Sequence, residues 1–290
     1  FYFTYLKART GSAVTISPAF AEYVSSYTTG TIPSGSTIRI TFMQDVIDSA
    51  LVGQQAPGKL FSFQPAIGGK TFWLDQRTVE FRPDGRFVSG AAYEVTFRLA
   101  PLFDNLPREL RELTYLVHIV PQHFEVLVNN VRPYVKTELK RQRIDGLLIT
   151  ADFAESTALE QGFSASQEGE ALRVTWTHSG EGRQHQFVIE EVVRKETAGK
   201  VKIKMDGAAI NTAQTEETEI DVPALGDFKV VNVRVDQGAS QHVVVQFSDP
   251  LNEKQNLAGL ISISGLSDLD YEVSENEVRV YPPVRQTGTK

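Results

Sequence analysis

Two histidines, His178 and His185, lie at equal distances from the centre of a short turn, Ser179–Gly182. An antiparallel hairpin around that turn would bring the two imidazoles face to face, near enough to share a zinc ion. Zinc takes three or four protein ligands, however, and no third histidine is close in the sequence. We therefore expect two solvated hairpin residues, and we predict that no residue of this chain binds a metal.

Acidic residues follow two strand-like segments that occupy corresponding places in the first and third parts of the chain. They are Asp45 and Asp48 in the first, and Asp249 and Glu253 in the third. Carboxylate oxygens are the ligands that Ca²⁺ prefers, so a calcium site at such loops is one interpretation. Polar residues in a solvated loop are the commoner explanation, and it is the one that we adopt.

A short basic cluster could contact an acidic partner or lipid headgroups. In a chain of net charge −7 a solvated loop is the simpler expectation. A second set of lysines has the spacing of residues that protect an exposed sheet edge from pairing with other chains. The two sets are Lys136, Lys140, Arg141 and Arg143, and Lys200, Lys202 and Lys204.

No motif for catalysis or nucleotide binding stands out. The glycines at 68–69 and 180–182 have turn spacing and do not open a helix after a strand, and there is no Gly-x-Ser-x-Gly elbow. Trp73 and Trp176 fall in alternating runs and are expected in cores, which disfavours a carbohydrate-binding aromatic platform. We predict no enzyme activity, no catalytic or cofactor-binding residues and no cofactor. A hydrolase assembled from separate loops remains an alternative that a cleft with two close carboxylates would reveal.

Composition narrows the class further. The chain has 290 residues, of which 41% are hydrophobic, so two or three domains are expected. A pI near 5.4 argues against nucleic acid, whose binders carry a basic footprint. Cysteine is absent, which excludes disulfides, thiolate metal sites and a cysteine nucleophile. No run of about eighteen apolar residues occurs, so we predict no transmembrane span. The chain starts without methionine or a signal peptide, and we interpret it as a piece of a longer protein.

Alternating hydrophobic and polar residues dominate the stretch Ser36–Leu99. Ile38, Ile40 and Phe42 alternate with polar residues, as expected of a half-buried strand. Further strands are predicted at 60–63, 78–83 and 93–99, and one or two helical turns at 103–113, which Asn105 is able to cap. Four strands with turn residues between them, in some sixty residues, are typical of a β-sandwich.

The same series recurs twice downstream, after Pro121 and after Pro223. These prolines lie 102 residues apart, the size of one immunoglobulin-like module, and a proline naturally ends a sheet. We predict an all-β chain of tandem immunoglobulin-like β-sandwich modules. Their boundaries are residues 1–120, 121–223 and 224–290, and the third module is incomplete, with predicted strands at 228–233, 242–247, 260–263 and 277–281.

One stretch resembles a known family. The segments that carry the likeness are 16–18, 35–42, 61–65, the Gly68-Gly69-x-x-x-Trp73 step, 78–83 and the Gly90-x-x-Tyr93-x-Val95 step. They look like the amino-terminal macroglobulin-type, immunoglobulin-like domains of bacterial alpha-2-macroglobulins, large cell-envelope lipoproteins, and most like the Bacteroidetes kind. The resemblance covers Ile16–Leu99 well. The later modules keep Phe153, Phe247 and Pro282 but lack the Gly-x-x-Tyr step.

The resemblance implies part of a protease-trapping protein of the periplasm or outer membrane, lipid-anchored in the parent. The family's trap depends on a bait region and, usually, a cysteine thioester, and this chain has neither a cysteine nor a recognisable bait segment. It would therefore be a scaffold that holds anchor and trap apart. Its partners would be other domains of the same parent and, through the parent, trapped proteases. The alternative is an adhesin or carbohydrate-binding surface protein built from similar modules.

Overall fold

The structure is a computed structural model, which describes residues 16–287. It forms two compact units. The first holds residues up to 122 together with the short segment 151–153, and the second holds residues 123–150 and 154 onward.

The first unit is a β-sandwich. Sheet I has the strand order β1-β3-β6-β5, and sheet II the order β2-β8-β7-β4. All neighbouring strands are antiparallel except the parallel pair β2 and β8. Short 3₁₀ turns occur at Pro18–Glu22, Ser49–Leu51 and Arg108–Leu110. In chain order the strands are β1 (Val24–Tyr27), β2 (Gly30–Ile32), β3 (Ile38–Phe42), β4 (Phe61–Gln64), β5 (Gly69–Trp73), β6 (Thr78–Pro83), β7 (Ala92–Arg98) and β8 (Glu112–Ile119).

The alternation predicted for β3 is confirmed, and it supplies the core of this sandwich. Ile38 and Ile40 are fully buried, while Arg39 between them is exposed. The Phe42 ring packs against Phe97 of β7 with ring centroids 5.8 Å apart, which joins the two sheets. Burying large apolar side chains between two facing sheets provides most of the stabilisation of such a fold.

The segment 151–153 belongs to the first unit through polar contacts. The Ser34 backbone N–H donates to the Asp152 carboxylate at 2.6 Å. Gln122 and Asp152 exchange two hydrogen bonds, of 2.9 and 3.1 Å, and the Arg86 guanidinium lies 3.6 Å from the centre of the Phe153 ring. These contacts occupy buried polar groups that would otherwise lose hydrogen bonds to water.

The second unit contains a complete sandwich followed by one further sheet. Sheet III has the order β13-β14-β10-β9, sheet IV β12-β11-β15-β16 and sheet V β17-β18-β20-β19. The elements are β9 (Phe124–Val135), β10 (Glu138–Thr150), α1 (Ser156–Gly162), β11 (Phe163–Gln167), β12 (Glu170–Ala171), β13 (Val174–His178), β14 (Gln184–Val193), β15 (Gly199–Asp206), a 3₁₀ turn (Gly207–Ile210), β16 (Thr215–Val222), β17 (Val230–Asp236), β18 (His242–Phe247), β19 (Asp270–Ser274) and β20 (Glu277–Tyr281).

Sheets III and IV share one core. Phe163 of β11 packs edge-on against Trp176 of β13, with ring centroids 5.0 Å apart, and lies 4.9 Å from the Phe187 ring of β14. Sheet V has a smaller core of its own, built around Val278 and Val280. The prediction of tandem immunoglobulin-like β-sandwiches is confirmed. The boundaries at 120 and 223 stay predictions, because the described residues, 16–287, form three hydrophobic clusters but two compact units.

Several local predictions were wrong, each for a physical reason. The one or two helical turns predicted at 103–113 form as a single 3₁₀ turn, but Asn105 does not cap it, because Asn105 adopts a positive φ of 58° and Pro107 occupies the cap position. No strand forms at 260–263, where one isolated bridge links Ala258 and Ile261. The helix α1 was not predicted. The sequence also predicts an opening strand at 1–5 and a short strand at 13–18. The first lies outside the described residues, and of the second only 16–18 are described, where Pro18 begins a 3₁₀ turn and no strand forms.

Two predictions about charged residues were also wrong. Lys136 does lie in a turn, but Lys140, Arg141 and Arg143 lie on β10, because β9 and β10 continue as a long hairpin through Val135 and Glu138. The lysines of β15 do not lie at a sheet edge, because β15 is flanked by β11 and β16. Lys200 and Lys202 instead pair with Glu219 across the sheet surface, at 2.5 and 3.4 Å.

Candidate functional site

A buried arginine joins the sandwich of the second unit to the segments that lead into sheet V. Arg194 directly follows β14, and its backbone N–H donates to the Lys140 carbonyl at 2.8 Å, which extends the pairing of β14 with β10. The residue is 0% exposed. A guanidinium removed from water must find partners for all its donors, since it cannot lose its charge at physiological pH.

The Arg194 guanidinium donates to carbonyls of two segments of the chain, one before β17 and one after β18. Its Nε reaches the Pro223 carbonyl at 3.2 Å, and its Nη2 reaches Ala224 at 2.8 Å. Asp249 accepts from both terminal nitrogens, at 2.8 Å from Nη1 and 3.3 Å from Nη2, in a two-pronged ion pair. The remaining acceptors are the carbonyls of Ser248, at 3.3 Å from Nη1, and Asp227, at 3.3 Å from Nη2.

Buried amides continue this contact beyond the arginine. Asn276, 0% exposed, donates from Nδ2 to the Val131 carbonyl of β9 at 2.9 Å and to the Phe247 carbonyl of β18 at 2.7 Å. Gln142 of β10 donates to the Ser248 carbonyl at 3.3 Å. Gln246 donates to the Asn129 carbonyl and, at 2.7 Å, to Glu277. The distal half of the β9–β10 hairpin therefore lies against sheet V through hydrogen bonds that fix direction as well as distance.

Ion pairs at the edge of the contact account for part of the basic cluster. Lys136 pairs with Glu253 at 2.5 Å, and Arg132 pairs with Glu275 at 2.5 Å and with Asp145 at 2.8 Å. These residues are partly or largely exposed, so each pair contributes little to stability. We define the joint as this whole set, namely Arg194, Asp249, Gln142, Gln246, Ser248 and Asn276 with the rim pairs of Arg132 and Lys136.

The four acidic residues considered as calcium ligands all have other partners. Asp45 pairs with Arg77 at 2.5 Å, and Asp48 caps the turn at Ser49–Leu51 through the Ala50 N–H. Asp249 and Glu253 belong to the joint. In residues 16–287 no group of three or more histidine, aspartate or glutamate side chains could hold a metal ion. The prediction that no residue binds a metal stays a prediction.

His178 and His185 do face each other across the β13–β14 pair, as the sequence indicated. Their Nδ1 atoms lie 2.7 Å apart, and His178 Nε2 lies 2.9 Å from the Glu160 carboxylate of α1. They are not two solvated residues, however, because His185 is 0% exposed. The expectation failed because His185 lies on β14 between β10 and β13, on the same face as buried Phe187 and Ile189. In addition α1, absent from the predicted elements, brings Glu160 to His178.

The hydrogen bonds assign the protons of the neutral pair. Glu160 can only accept, so His178 donates from Nε2 and accepts at Nδ1. His185 must then donate from Nδ1, which leaves its buried Nε2 as a lone pair without a partner. The pKa of His185 lies below its usual range, because burial lowers it, His178 lowers it further, and the Gly182 backbone acts less strongly in the opposite direction. Protonation of this pair would place an unpaired N–H in the interior.

Sequence reasoning missed the joint entirely. A lone arginine after a strand has the pattern of a solvated charge, and its partner Asp249 lies 55 residues away. The residues around it, Glu190–Lys195, mix charged and apolar side chains and give no signal that the guanidinium is buried. The tryptophans were placed better, since Trp73 is 2% exposed and Trp176 packs against the core of the second unit.

Comparisons with known proteins give no family for this chain. No family profile matches it, and no curated protein is similar in sequence. An L,D-transpeptidase from Mycobacterium tuberculosis is a structural neighbour at 9% identity and TM-score 0.24, over 77% of this chain and 75% of that chain. Domains 4–9 of the surface layer protein SbsC match at 12% identity and TM-score 0.33, over 91% and 44%.

The full ectodomain of mouse nectin-like molecule 4, with three immunoglobulin domains, matches at 11% identity and TM-score 0.29, over 89% of this chain and 88% of that chain. TM-scores this low support no inference about what the chain binds or does. Within residues 16–287, no helix is both long and apolar enough to cross a membrane.

Proposed function

We propose that this chain is a non-enzymatic spacer and interaction segment of a bacterial cell-envelope protein of the alpha-2-macroglobulin kind. The resemblance of Ile16–Leu99 to the amino-terminal domains of that family supports the parent's identity. Tandem immunoglobulin-like sandwiches support the coarser role, since each module buries its own core and adds length without needing a catalytic site. Its partners are other domains of the same parent and, through them, trapped proteases.

The observation that carries the spacer role is the buried joint around Arg194. A spacer has to hold what it carries in a fixed geometry, and a contact made only of apolar side chains is tolerant of sliding and rotation. Directional hydrogen bonds from a guanidinium to four carbonyls and a carboxylate favour one arrangement over its neighbours. Buried ionic groups serve this purpose better than they serve stability.

A distance measurement tests the spacer role directly. The absence of cysteine allows a clean pair of spin labels, one at exposed Ser179 in the sandwich and one at exposed Ser274 in sheet V. We expect a single narrow distance distribution in the otherwise unchanged chain and a broad one with Arg194→Met. Arg173→Gln, which removes an exposed arginine outside the joint, is the matched control and leaves the distribution narrow. A broad distribution before any joint mutation would overturn the spacer role.

The parent's identity needs a separate measurement. The full-length protein, incubated with a protease, should retain it in a complex that resists washing and survives gel filtration. The same protein with Arg194→Met should retain less, since the segment no longer holds its neighbours in place. A glycan array probed with the 290-residue chain distinguishes the alternative: specific glycan binding without protease capture would assign an adhesin instead.

A further inference from the structure

The three parts of the chain build the same sheet three times. Sheet I contains β1-β3-β6-β5, sheet III contains β9-β10-β14-β13, and sheet V contains β17-β18-β20-β19. In each, the first and second strands are neighbours, the second pairs with the fourth, and the third lies at the far edge. Sheet V is therefore the topological equivalent of sheets I and III, and β17 corresponds to β1 and β9.

The facing sheets are also built alike in the first two cases. One part comes from the segment between the second and third strands, namely β4 in the first unit and β11–β12 in the second. The other part is an antiparallel pair after the fourth strand, namely β7–β8 and β15–β16. In sheet V the connecting segment 248–269 supplies a partial cover, with one isolated bridge, and residues 282–287 form no strand.

Sheet V consequently has a half-covered apolar face. Directly opposed residues show the gradient: Val278 of β20 is 0% exposed, its neighbour Val245 of β18 is 9%, and the next in line, Val233 of β17, is 58%. Val235, beside Val233 on the same face, is 55% exposed. Leu257 and neighbouring apolar residues of the 248–269 segment pack over β20 and stop short of β17.

The equivalent strands show what covers such a face. In the first unit Tyr27 of β1 contacts Tyr115 of β8, with ring centroids 4.7 Å apart. In the second unit Phe124 of β9 is 3% exposed, and its backbone exchanges hydrogen bonds of 3.0 and 2.8 Å with the side chain of Gln214, directly before β16. In both cases, therefore, a residue of the last strand of the facing pair, or the residue directly before that strand, contacts the first strand of the sheet.

We propose that the uncovered face of sheet V, formed by Val233, Val235 and the β17 side of β18, docks an antiparallel strand pair that follows β20 in the full-length protein. This pair is the counterpart of β15–β16. Its inward residues are alternately apolar, and its outward residues are polar, as Lys200 and Glu219 are in the second unit. The pair ends 36 residues after β6 in the first unit and 29 residues after β14 in the second, so the counterpart ends about 30–36 residues after Tyr281.

The experiment compares the 290-residue chain with a chain extended along the parent reading frame through this pair. Hydrogen exchange followed by mass spectrometry reports the backbone of β17, and a hydrophobic dye reports the exposed face. In the extended chain we expect β17 amides to exchange at least tenfold more slowly and the dye fluorescence to fall to the level of a fully covered sandwich.

Matched variants locate the effect on the proposed face. Val233→Glu should leave exchange in the 290-residue chain nearly unchanged, because that side chain is already exposed, but should abolish the added protection in the extended chain. Arg234→Gln, on the opposite face of the same strand, should leave the protection intact in both. Equal effects of the two substitutions would overturn the assignment of the face.

Three other outcomes also overturn the proposal. The reading frame after Tyr281 could lack two alternating strands within the stated span, or the extension could leave β17 exchange as fast as before. The 290-residue chain could also form a dimer, measured by light scattering, that Val233→Glu dissociates but that persists in the extended chain. That last result would assign the face to a second copy of the chain.

Discussion

The aromatic core of the first sandwich and the centre of the joint in the second unit, at Arg194 and Asn276, are both fully buried, yet they are built from opposite chemistry. Phe42, Phe97 and Trp73 fill the first with apolar surface that packs in many geometries of similar energy. Arg194 and Asn276 fill the second with donors that must each meet an acceptor. We infer from this contrast that apolar burial holds the sheets together, whereas buried polar groups determine how sheet V is oriented on the sandwich of the second unit.

The largest effect is expected at Arg194. Arg194→Met leaves the largely buried Asp249 carboxylate without its cationic partner, with a hydrogen bond from the Ser248 hydroxyl, so the free energy of unfolding of the second unit should fall by about 3–5 kcal/mol. The double variant Arg194→Met/Asp249→Leu removes both charges and should recover most of that loss, though not the narrow distance distribution. The fluorescence of Trp176, in a Trp73→Phe background, follows urea unfolding of the second unit and measures this change in the free energy of unfolding. Equal losses in the single and double variants would contradict the account.

The matched test in the apolar core is Phe97→Ala. Phe97 is fully buried and contacts Phe42 and Phe61, so the cavity should cost the first unit about 3–5 kcal/mol. Trp73 fluorescence in a Trp176→Phe background reports the loss. Spin labels in the second unit should keep their narrow distance distribution. A broadened distribution would mean that orientation depends on apolar packing as well, and the contrast would fail.

A smaller and pH-dependent effect is expected at His185. Its pKa is lowered in the folded protein, mainly by burial and then by His178, so the unfolded chain binds the proton more readily. Stability contributed by this group is present above the unfolded pKa of about 6.5 and is lost as the pH falls below it. In the His185→Leu variant, the free energy of unfolding of the second unit should decline less between pH 7 and pH 5 than in the unchanged chain. The exposed control His118→Gln should keep the decline, and an unchanged slope in His185→Leu would contradict the burial argument.

The smallest effect is expected on the outer face of sheet IV. Lys200 pairs with Glu219 at 2.5 Å, but both side chains are exposed and water screens the pair. Lys200→Gln should leave the urea midpoint of the second unit unchanged at physiological salt. A clear loss of stability would show that surface pairs contribute as much as the joint, and would weaken the contrast between the two.

The difference between apolar packing and buried polar contacts also explains what could be predicted from the sequence. The alternation of Ile38, Ile40 and Phe42 is local, so strand, face and core followed from it. The contacts of Arg194 and Asn276 in the joint join residues 29 to 146 apart, and nothing in the neighbourhood of either residue distinguishes it from a solvated one. Lys200 was misplaced for the same reason, because strand order is a long-range property. The His178–His185 pairing was predictable because a short turn joins its strands, whereas Glu160 was not.

The β9–β10 hairpin belongs to sheet III and also contacts sheet V. Its proximal half is part of sheet III, and its distal half receives sheet V through residues such as Val131 and Gln142. During synthesis it leaves the ribosome about a hundred residues before β18 and β20, and domains generally fold as units in that order. The hairpin is thus synthesised before the strands of sheet V that pack against it. Slow translation between the two would favour correct packing over mispairing of the nascent strands.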